Sequence, residues 1–315
     1  MIEFYVISGI AVFLALAFLI ISYVCFRLAF YSRKRIPKPE GEYSLPKGKL
    51  YEPYLERIKE WQKETFALPH EDFEIRSHDG LTLKGKYYEY EKGAPLEILF
   101  HGYRGNPMKD LSGAVERCFK LGRNALLVTQ RAHGESDGSV ISFGVNERRD
   151  CLRWVDFAIS HFGKDTKIIL TGLSMGASTV LMAAGEDLPE NVVCILADCG
   201  YSSQKEIIKR VIGEMGIPQD LAYPFVKAGA FIFGHFRLEE TTPIESVKRS
   251  RTPIIFIHGD SDDFVPYQMS LDMYKVCPTE KTLITVEGAG HALAFIMDQE
   301  GYIKKVKEFD SVWKK

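Results

Sequence analysis

The 315-residue chain contains no C-x-x-C pair, no H-E-x-x-H pair and no histidine at finger-like spacing from a cysteine. Structural zinc sites and helix-borne catalytic zinc both need such clusters, so metal binding is disfavoured. No Walker-type glycine loop and no dinucleotide fingerprint occurs, so no nucleotide cofactor is implied. An excess of one charge is missing too. With 40 basic and 42 acidic residues the net charge is −2, and no broad nucleic-acid face is expected. Six cysteines are scattered along the chain, and the closest pair, Cys194 and Cys199, begins inside an expected core strand. Free thiols in a reducing compartment are the simplest account. Internal repeats and low-complexity tracts are absent.

What the chain does have is a globular composition, 46% hydrophobic and 26% charged, together with one long apolar run. Phe4 to Phe26 is 23 residues without a charge, long enough to cross a bilayer as a helix. The rival is a cleaved signal peptide, but that wants a positive start, a shorter apolar core and a small-residue cleavage site. Here Glu3 precedes the run and no A-x-A site follows it. Arg27, Arg33, Lys34, Arg35 and Lys38 crowd the far flank. The positive-inside rule then predicts a single-pass cell-membrane protein with everything after residue 30 in the cytoplasm. The same basic cluster adds a weak attraction to anionic headgroups.

Residues 1–30 are therefore expected to form an anchor, 31–70 a linker with a short helix, and 71–315 the main domain. Ile36 to Lys49, with three prolines and two glycines, reads as extended linker. Leu55, Ile58, Trp61 and Phe66 recur at near-helical spacing and predict an amphipathic helix. Phe73–Ser77 and Leu81–Glu89 flank His78-Asp79-Gly80, a hairpin signal. Strands near 96–100, 124–129, 167–171, 192–197, 254–258 and 282–286 alternate with helical stretches. That alternation predicts an α/β fold with a mostly parallel sheet covered on both faces. About 55 residues separate the strand ending near Ala197 from the one starting at Ile254, far more than a crossover needs. Two apolar helical stretches fall within that gap.

Gly172-Leu173-Ser174-Met175-Gly176 directly follows the apolar run Lys167–Thr171 and precedes a run of small helix formers. A strand that enters a helix through G-x-S-x-G makes a nucleophile elbow, with the serine hydroxyl held out at the top of the sheet. The backbone N–H of the next residue, Met175, then becomes an oxyanion donor. Serine needs a histidine base and a carboxylate that orients it. Both types follow in order: His258-Gly259-Asp260-Ser261-Asp262-Asp263 after one expected strand, and Gly288-Ala289-Gly290-His291 after the next. Each lies just past a strand's C-terminal end, where parallel sheets place ligands. Spacing alone leaves Asp260, Asp262 and Asp263 open, and Asp198 at another strand end is a more distant rival.

With these motifs, and with His101-Gly102-Tyr103-Arg104-Gly105-Asn106 and Gln130-Arg131-Ala132-His133-Gly134-Glu135-Ser136, the chain resembles the α/β-hydrolase superfamily. Within it, the chain is similar to membrane-anchored bacterial Bem46-like and prolyl-oligopeptidase-like serine hydrolases, from about Phe73 to the C-terminus. The resemblance implies an α/β-hydrolase fold: an eight-stranded, mostly parallel sheet with a small helical cap at about 200–250, inserted after strand 6. It implies Ser174 as nucleophile, Asp262 as acid, His291 as base, and the N–H of Tyr103 as the second oxyanion donor. His101, His133 and His258 would pack beside the site without joining it. The apolar underside of the cap is expected to line the acyl pocket.

The expected activity is hydrolysis of carboxylic esters with small or lipid-like acyl groups, without a cofactor. A serine peptidase of prolyl-oligopeptidase type, a thioesterase and a catalytically silent, membrane-tethered binding protein are the alternatives.

Overall fold

Apolar runs bounded by turn residues become the strands. These are β1 (Glu71–Arg76), β2 (Thr82–Tyr88), β3 (Leu96–Phe100), β4 (Asn124–Thr129), β5 (Ile168–Leu173), β6 (Val192–Asp198), β7 (Ile254–Gly259) and β8 (Lys281–Val286). In the computed structural model, which describes residues 1–33 and 43–313, they form one sheet in the order β1-β2-β4-β3-β5-β6-β7-β8. β2 runs antiparallel to both its neighbours, and the pairs from β4 through β8 are parallel. Every residue of β3 and β7 is buried, as expected for central strands covered on both faces. This is the α/β-hydrolase architecture.

The helices are α1 (Ile2–Ala29), α2 (Leu55–Ala67), α3 (Pro107–Lys120), α4 (Glu147–Phe162), α5 (Met175–Ala183), α6 (Gln204–Glu214), α7 (Gln219–Ile232), α8 (Pro243–Val247), α9 (Tyr267–Val276), α10 (Ala294–Met297) and α11 (Gln299–Asp310). Alternation along the strands sorts the core into two layers. Leu170, Ile195 and Phe256 face α4, α5 and α9, where Trp154, Leu181 and Met273 cover them. Ile169, Leu196 and Ile257 face the other way, towards Tyr302 and Val306 of α11. α3 covers Leu99 and Leu127 on that same side with Leu111 and Val115.

The gap after β6 holds α6, α7 and α8. Its apolar side meets the N-terminal helix. Phe18 packs on Phe225 at 5.1 Å between ring centroids, and Phe26 on Phe233 at 6.0 Å. Phe30 wedges edge-on between Phe143 and Phe236. α1, 28 residues long, is long and apolar enough to cross a membrane. Its last turns are nonetheless part of the folded domain, with Phe26 and Phe30 buried. Of the basic flank, Arg27 and Arg33 are described; Lys34, Arg35 and Lys38 lie outside the described residues, as do residues 36–42 of the expected linker.

Candidate active site

β5 runs two residues past its expected end and delivers Leu173 directly to Ser174. Ser174 sits at φ 55° and ψ −115°, a left-handed conformation costly for a residue with a Cβ. The two glycines allow that turn. A Cβ on Gly172 would come 2.1 Å from the carbonyl group of Gly176, and one on Gly176 would come 2.0 Å from the Phe100 carbonyl oxygen. The Ser174 N–H donates to the Asp198 carbonyl at 2.8 Å, and α5 starts at the next residue. First-turn amides have no partner inside their helix, so the Met175 N–H is available to an anion above Ser174.

His291, 117 residues further on, brings its Nε2 to 2.9 Å from Ser174 Oγ. Its Nδ1 lies 2.7 Å from Asp262 Oδ2. With a carboxylate as partner, Nδ1 carries the proton and Nε2 faces the hydroxyl as acceptor. Asp262 is buried beneath the ring, and its Oδ1 accepts the N–H groups of Phe264 and Val265, each at 2.9 Å. Burial pushes its pKa up, but hydrogen bonds from His258, His291 and Val265 outweigh that and hold it well below the usual carboxylate range.

The rival carboxylates are not bonded to His291, whose ring nitrogens meet Ser174 and Asp262. Asp260 accepts the Gly288 N–H at 2.7 Å and caps a loop, while Asp263 is exposed. Asp198 lies close by, buried, and burial raises its pKa to about 6.

His258 does more than pack. Its Nε2 faces two acceptors, Asp262 Oδ2 at 3.1 Å and the Val265 carbonyl at 2.9 Å, so Nε2 bears the proton. Its Nδ1 then accepts from Ser270 Oγ at 2.7 Å. The ring thus fixes the carboxylate that His291 meets.

The loop after β3 is held in the same manner. His101 Nε2 accepts the Gln130 N–H at 3.1 Å, leaving Nδ1–H to donate to the Gly102 carbonyl at 2.9 Å. Burial lowers the His101 pKa to about 4, so the ring is neutral at physiological pH. His133 Nε2 accepts the Arg104 N–H at 3.1 Å, and its Nδ1 donates to the Arg131 carbonyl at 2.8 Å. Asp110 Oδ2 accepts the Gly102 N–H at 3.1 Å. These contacts bring the Gly102–Tyr103 peptide beside Ser174: a Cβ on Gly102 would sit 3.7 Å from Ser174 Cβ. The Tyr103 hydroxyl points away, donating to the Ala29 carbonyl at 2.7 Å.

A cavity of about 360 Å³ opens from Ser174 and His291. Its lining departs from expectation. The cap helices take no part in it, because their apolar side is already covered by α1 and by Met175 and Val265. The wall comes instead from the segment before the domain, with Pro46, Tyr51, Ile58 and Trp61, facing Leu111 and Phe295. Trp61 stacks on Phe295 at 5.6 Å. Tyr51 donates its hydroxyl to the His291 carbonyl at 3.2 Å. Tyr51, Asp110 and the bracing roles of His101, His133 and His258 were not visible in the sequence; only the elbow and the His-Gly pairs hinted that those loops mattered.

Two groupings bring metal-ligand side chains together among the described residues. One is Cys199, Asp262 and His291, of which Asp262 and His291 are already joined by a hydrogen bond beside Ser174. The other is His78, Asp79 and Asp150, where the Arg131 guanidinium bonds both carboxylates at 2.6–3.0 Å and supplies the balancing charge.

The prolyl oligopeptidase family model matches residues 142–310. YqkD of Bacillus subtilis (strain 168), an uncharacterized protein, is 26% identical over 256 residues, covering 81% of each chain. Protein bem46 of Schizosaccharomyces pombe is 22% identical over 221 residues, 69% of this chain and 68% of that one. Among solved structures, a Pyrococcus furiosus esterase superposes with a TM-score of 0.65 at 21% identity, covering 90% of this chain and 99% of that one. Est1E from Butyrivibrio proteoclasticus with ferulic acid bound gives a TM-score of 0.58 at 22% identity, over 76% of this chain and 98% of that one. These two likenesses bear on the fold.

Proposed function

The chain belongs to the prolyl oligopeptidase family and is a hydrolase, and from that premise we propose that it is a serine hydrolase acting on carboxylic esters of small or lipid-like acyl groups. One observation carries the reading: an unbroken hydrogen-bonded line from Ser174 Oγ through His291 to Asp262, with distances of 2.9 and 2.7 Å. Ser174 Oγ attacks the acyl carbonyl while His291 Nε2 takes its proton, and Asp262 holds the imidazole tautomer and offsets the imidazolium charge. The oxyanion is bound by the N–H groups of Tyr103 and Met175, each such donor being worth about 10²–10³ in rate. Collapse expels the alcohol, protonated by His291, and leaves an acyl-Ser174. Water activated by the same imidazole then releases the acid. No step calls for a metal or organic cofactor.

A peptide bond is the second reading, favoured by the family match itself. Fluorophosphonate labelling of wild type and Ser174→Ala tests the nucleophile: label on wild type only is expected, and an unlabelled wild type overturns the reading. Turnover of p-nitrophenyl esters against aminoacyl-nitroanilides then separates esterase from peptidase.

The same reading keeps α1 as a retained anchor with the domain on the cytoplasmic side. Burial of Phe26 and Phe30 in the domain supports retention, and Arg27 and Arg33 support the orientation. Protease accessibility in sealed inverted vesicles measures it; a protected domain refutes it.

A further inference from the structure

α7 is apolar on almost every side, and a helix of that kind is normally buried all round. Tyr223, Val226 and Ala230 are buried in the cap. Phe225 and Gly229 face α1: Phe18 packs on Phe225, and a Cβ on Gly229 would come 2.5 Å from the Ser22 carbonyl oxygen. A third side is bare. Leu221, Pro224, Phe231 and Ile232 are exposed there, at spacings that share one helical face bordering Phe225. Met215 and Ile217, in the turn that leads into α7, are exposed as well. Beyond residue 30, nine large apolar side chains are exposed among the described residues, and five of them fall between 215 and 232. Single exposed apolar residues need no explanation, but a continuous patch marks an interaction surface.

The place of the patch identifies what covers it. Phe18 meets Phe225, Ser22 meets Gly229 and Phe26 meets Phe233, each pair four residues beyond the last on both segments. The two segments therefore run side by side in the same direction. The same step sets Leu221 level with Leu14, in the middle of the charge-free run Phe4–Phe26. A crossing helix needs about 20 residues, which from Ile2 reach Ile21. At about 1.5 Å per residue, Leu14 and Leu221 then lie about 10 Å inside the hydrocarbon, with Phe225 nearer its edge. Charged groups bordering the patch are paired within the cap. Asp220 meets Lys209 at 2.6 Å, Glu214 meets Arg210 at 3.1 Å, and Lys227 meets Glu239 at 3.2 Å. Pairing is the form in which charge is tolerated beside hydrocarbon.

We propose that the bare side of α7 and the turn before it form a membrane-docking surface, by which the cap enters the lipid layer alongside α1. Acyl chains, rather than water, cover Leu221, Phe231 and Ile232. The proposal rests on the reading of α1 as a retained span. Because the neighbouring charges are already paired, the surface takes acyl chains rather than anionic headgroups, and its docking is insensitive to salt.

The test uses the full chain in phosphatidylcholine vesicles with brominated acyl chains, which quench tryptophan within the hydrocarbon. The native tryptophans, at 61, 154 and 313, belong to the domain, and the unsubstituted protein supplies their background. Leu221→Trp and Phe231→Trp place a reporter at two exposed positions of the patch, so that folding is not at stake. Both are expected to lose most of their added emission, at low and high salt alike. Tyr90→Trp, exposed beside the start of β4 at the opposite end of the sheet from the cap, should lose none. Emission from the two patch variants that is quenched by aqueous iodide instead puts the face in water and overturns the proposal. Emission quenched by neither agent means that a protein surface, such as a second copy of the chain, covers the face, which overturns it equally. Phe13→Trp on α1 keeps the two failures apart. If the bromolipid quenches that variant but not the patch variants, only the docking surface is refuted; if it quenches none of them, the anchor reading falls too.

Discussion

Replacing Asp262 by Asn changes one atom at the centre of the site. Asp262 Oδ1 keeps its two backbone N–H partners, Phe264 and Val265, so the loop should hold its shape. The change falls on Oδ2, which accepts from His291 Nδ1 at 2.7 Å and from His258 Nε2 at 3.1 Å. An amide placed with its NH₂ there faces two N–H groups. His258 can still donate to the Val265 carbonyl, 2.9 Å away. His291 has no such alternative: its proton must move to Nε2, where it points at Ser174 Oγ and blocks proton abstraction. A neutral imidazole locked in that tautomer loses about 10⁴ in kcat in comparable triads. That corresponds to about 5 kcal/mol of transition-state stabilisation. The loss of charge-assisted bonds costs stability as well, about 1.5–3 kcal/mol. Steady-state ester turnover and the second-order rate of fluorophosphonate labelling measure the effect, with thermal unfolding as the check on the fold. A folded variant that loses less than tenfold would refute this reasoning and turn attention to Asp198.

Two further outcomes follow from burial and packing. The pKa of Asp198 is raised from 3.8 to about 6, so the folded state holds its proton more tightly than the unfolded chain. That contribution is full below about pH 4 and is lost as pH rises through about 6, a span worth up to about 3 kcal/mol. Asp198→Asn, which never ionises, should therefore raise the unfolding temperature relative to wild type at pH 8 and gain far less at pH 4.5; an equal shift at both pH values contradicts the assignment. Phe30, fully buried between Phe143 and Phe236, should cost about 3–5 kcal/mol when cut to Ala, measured by denaturant unfolding in detergent. Phe13→Ala, on the exposed part of the same helix, should cost almost nothing, and similar losses at both positions would mean that α1 is not docked on the domain.

The strands were legible because their cause is local. Apolar runs such as Ile254–Ile257, ended by Gly and Asp, specify buried strands wherever they occur, and the observed ends move by only one or two residues. The elbow was legible for the same reason. Gly172 and Gly176 report that backbone passes where a Cβ cannot, whatever the rest of the chain does. Ser174 and His291 stood out as candidates because each sits just beyond a strand end.

Which carboxylate His291 meets was another matter. Asp260, Asp262 and Asp263 differ by one or two positions, and only the turn held by the Phe264 and Val265 amides aims Asp262 at the ring. The cap misled for a related reason. The apolar face of α7 predicts burial, but amphipathicity does not say against what, and the partner is α1, some two hundred residues earlier in the chain.

The order of residues along the chain thus determined the sheet, the sharp turn that presents Ser174, and a short list of partners for it, since steric and periodic rules act over a few neighbouring positions. The three-dimensional packing alone decided that Tyr51 meets His291, that residues 46–61 wall the cavity, and that Asp198 and Arg117 each keep an unpartnered polar atom beside it. Those meetings join segments far apart in sequence. No local preference encodes them, because each depends on how every other side chain has already filled the space between.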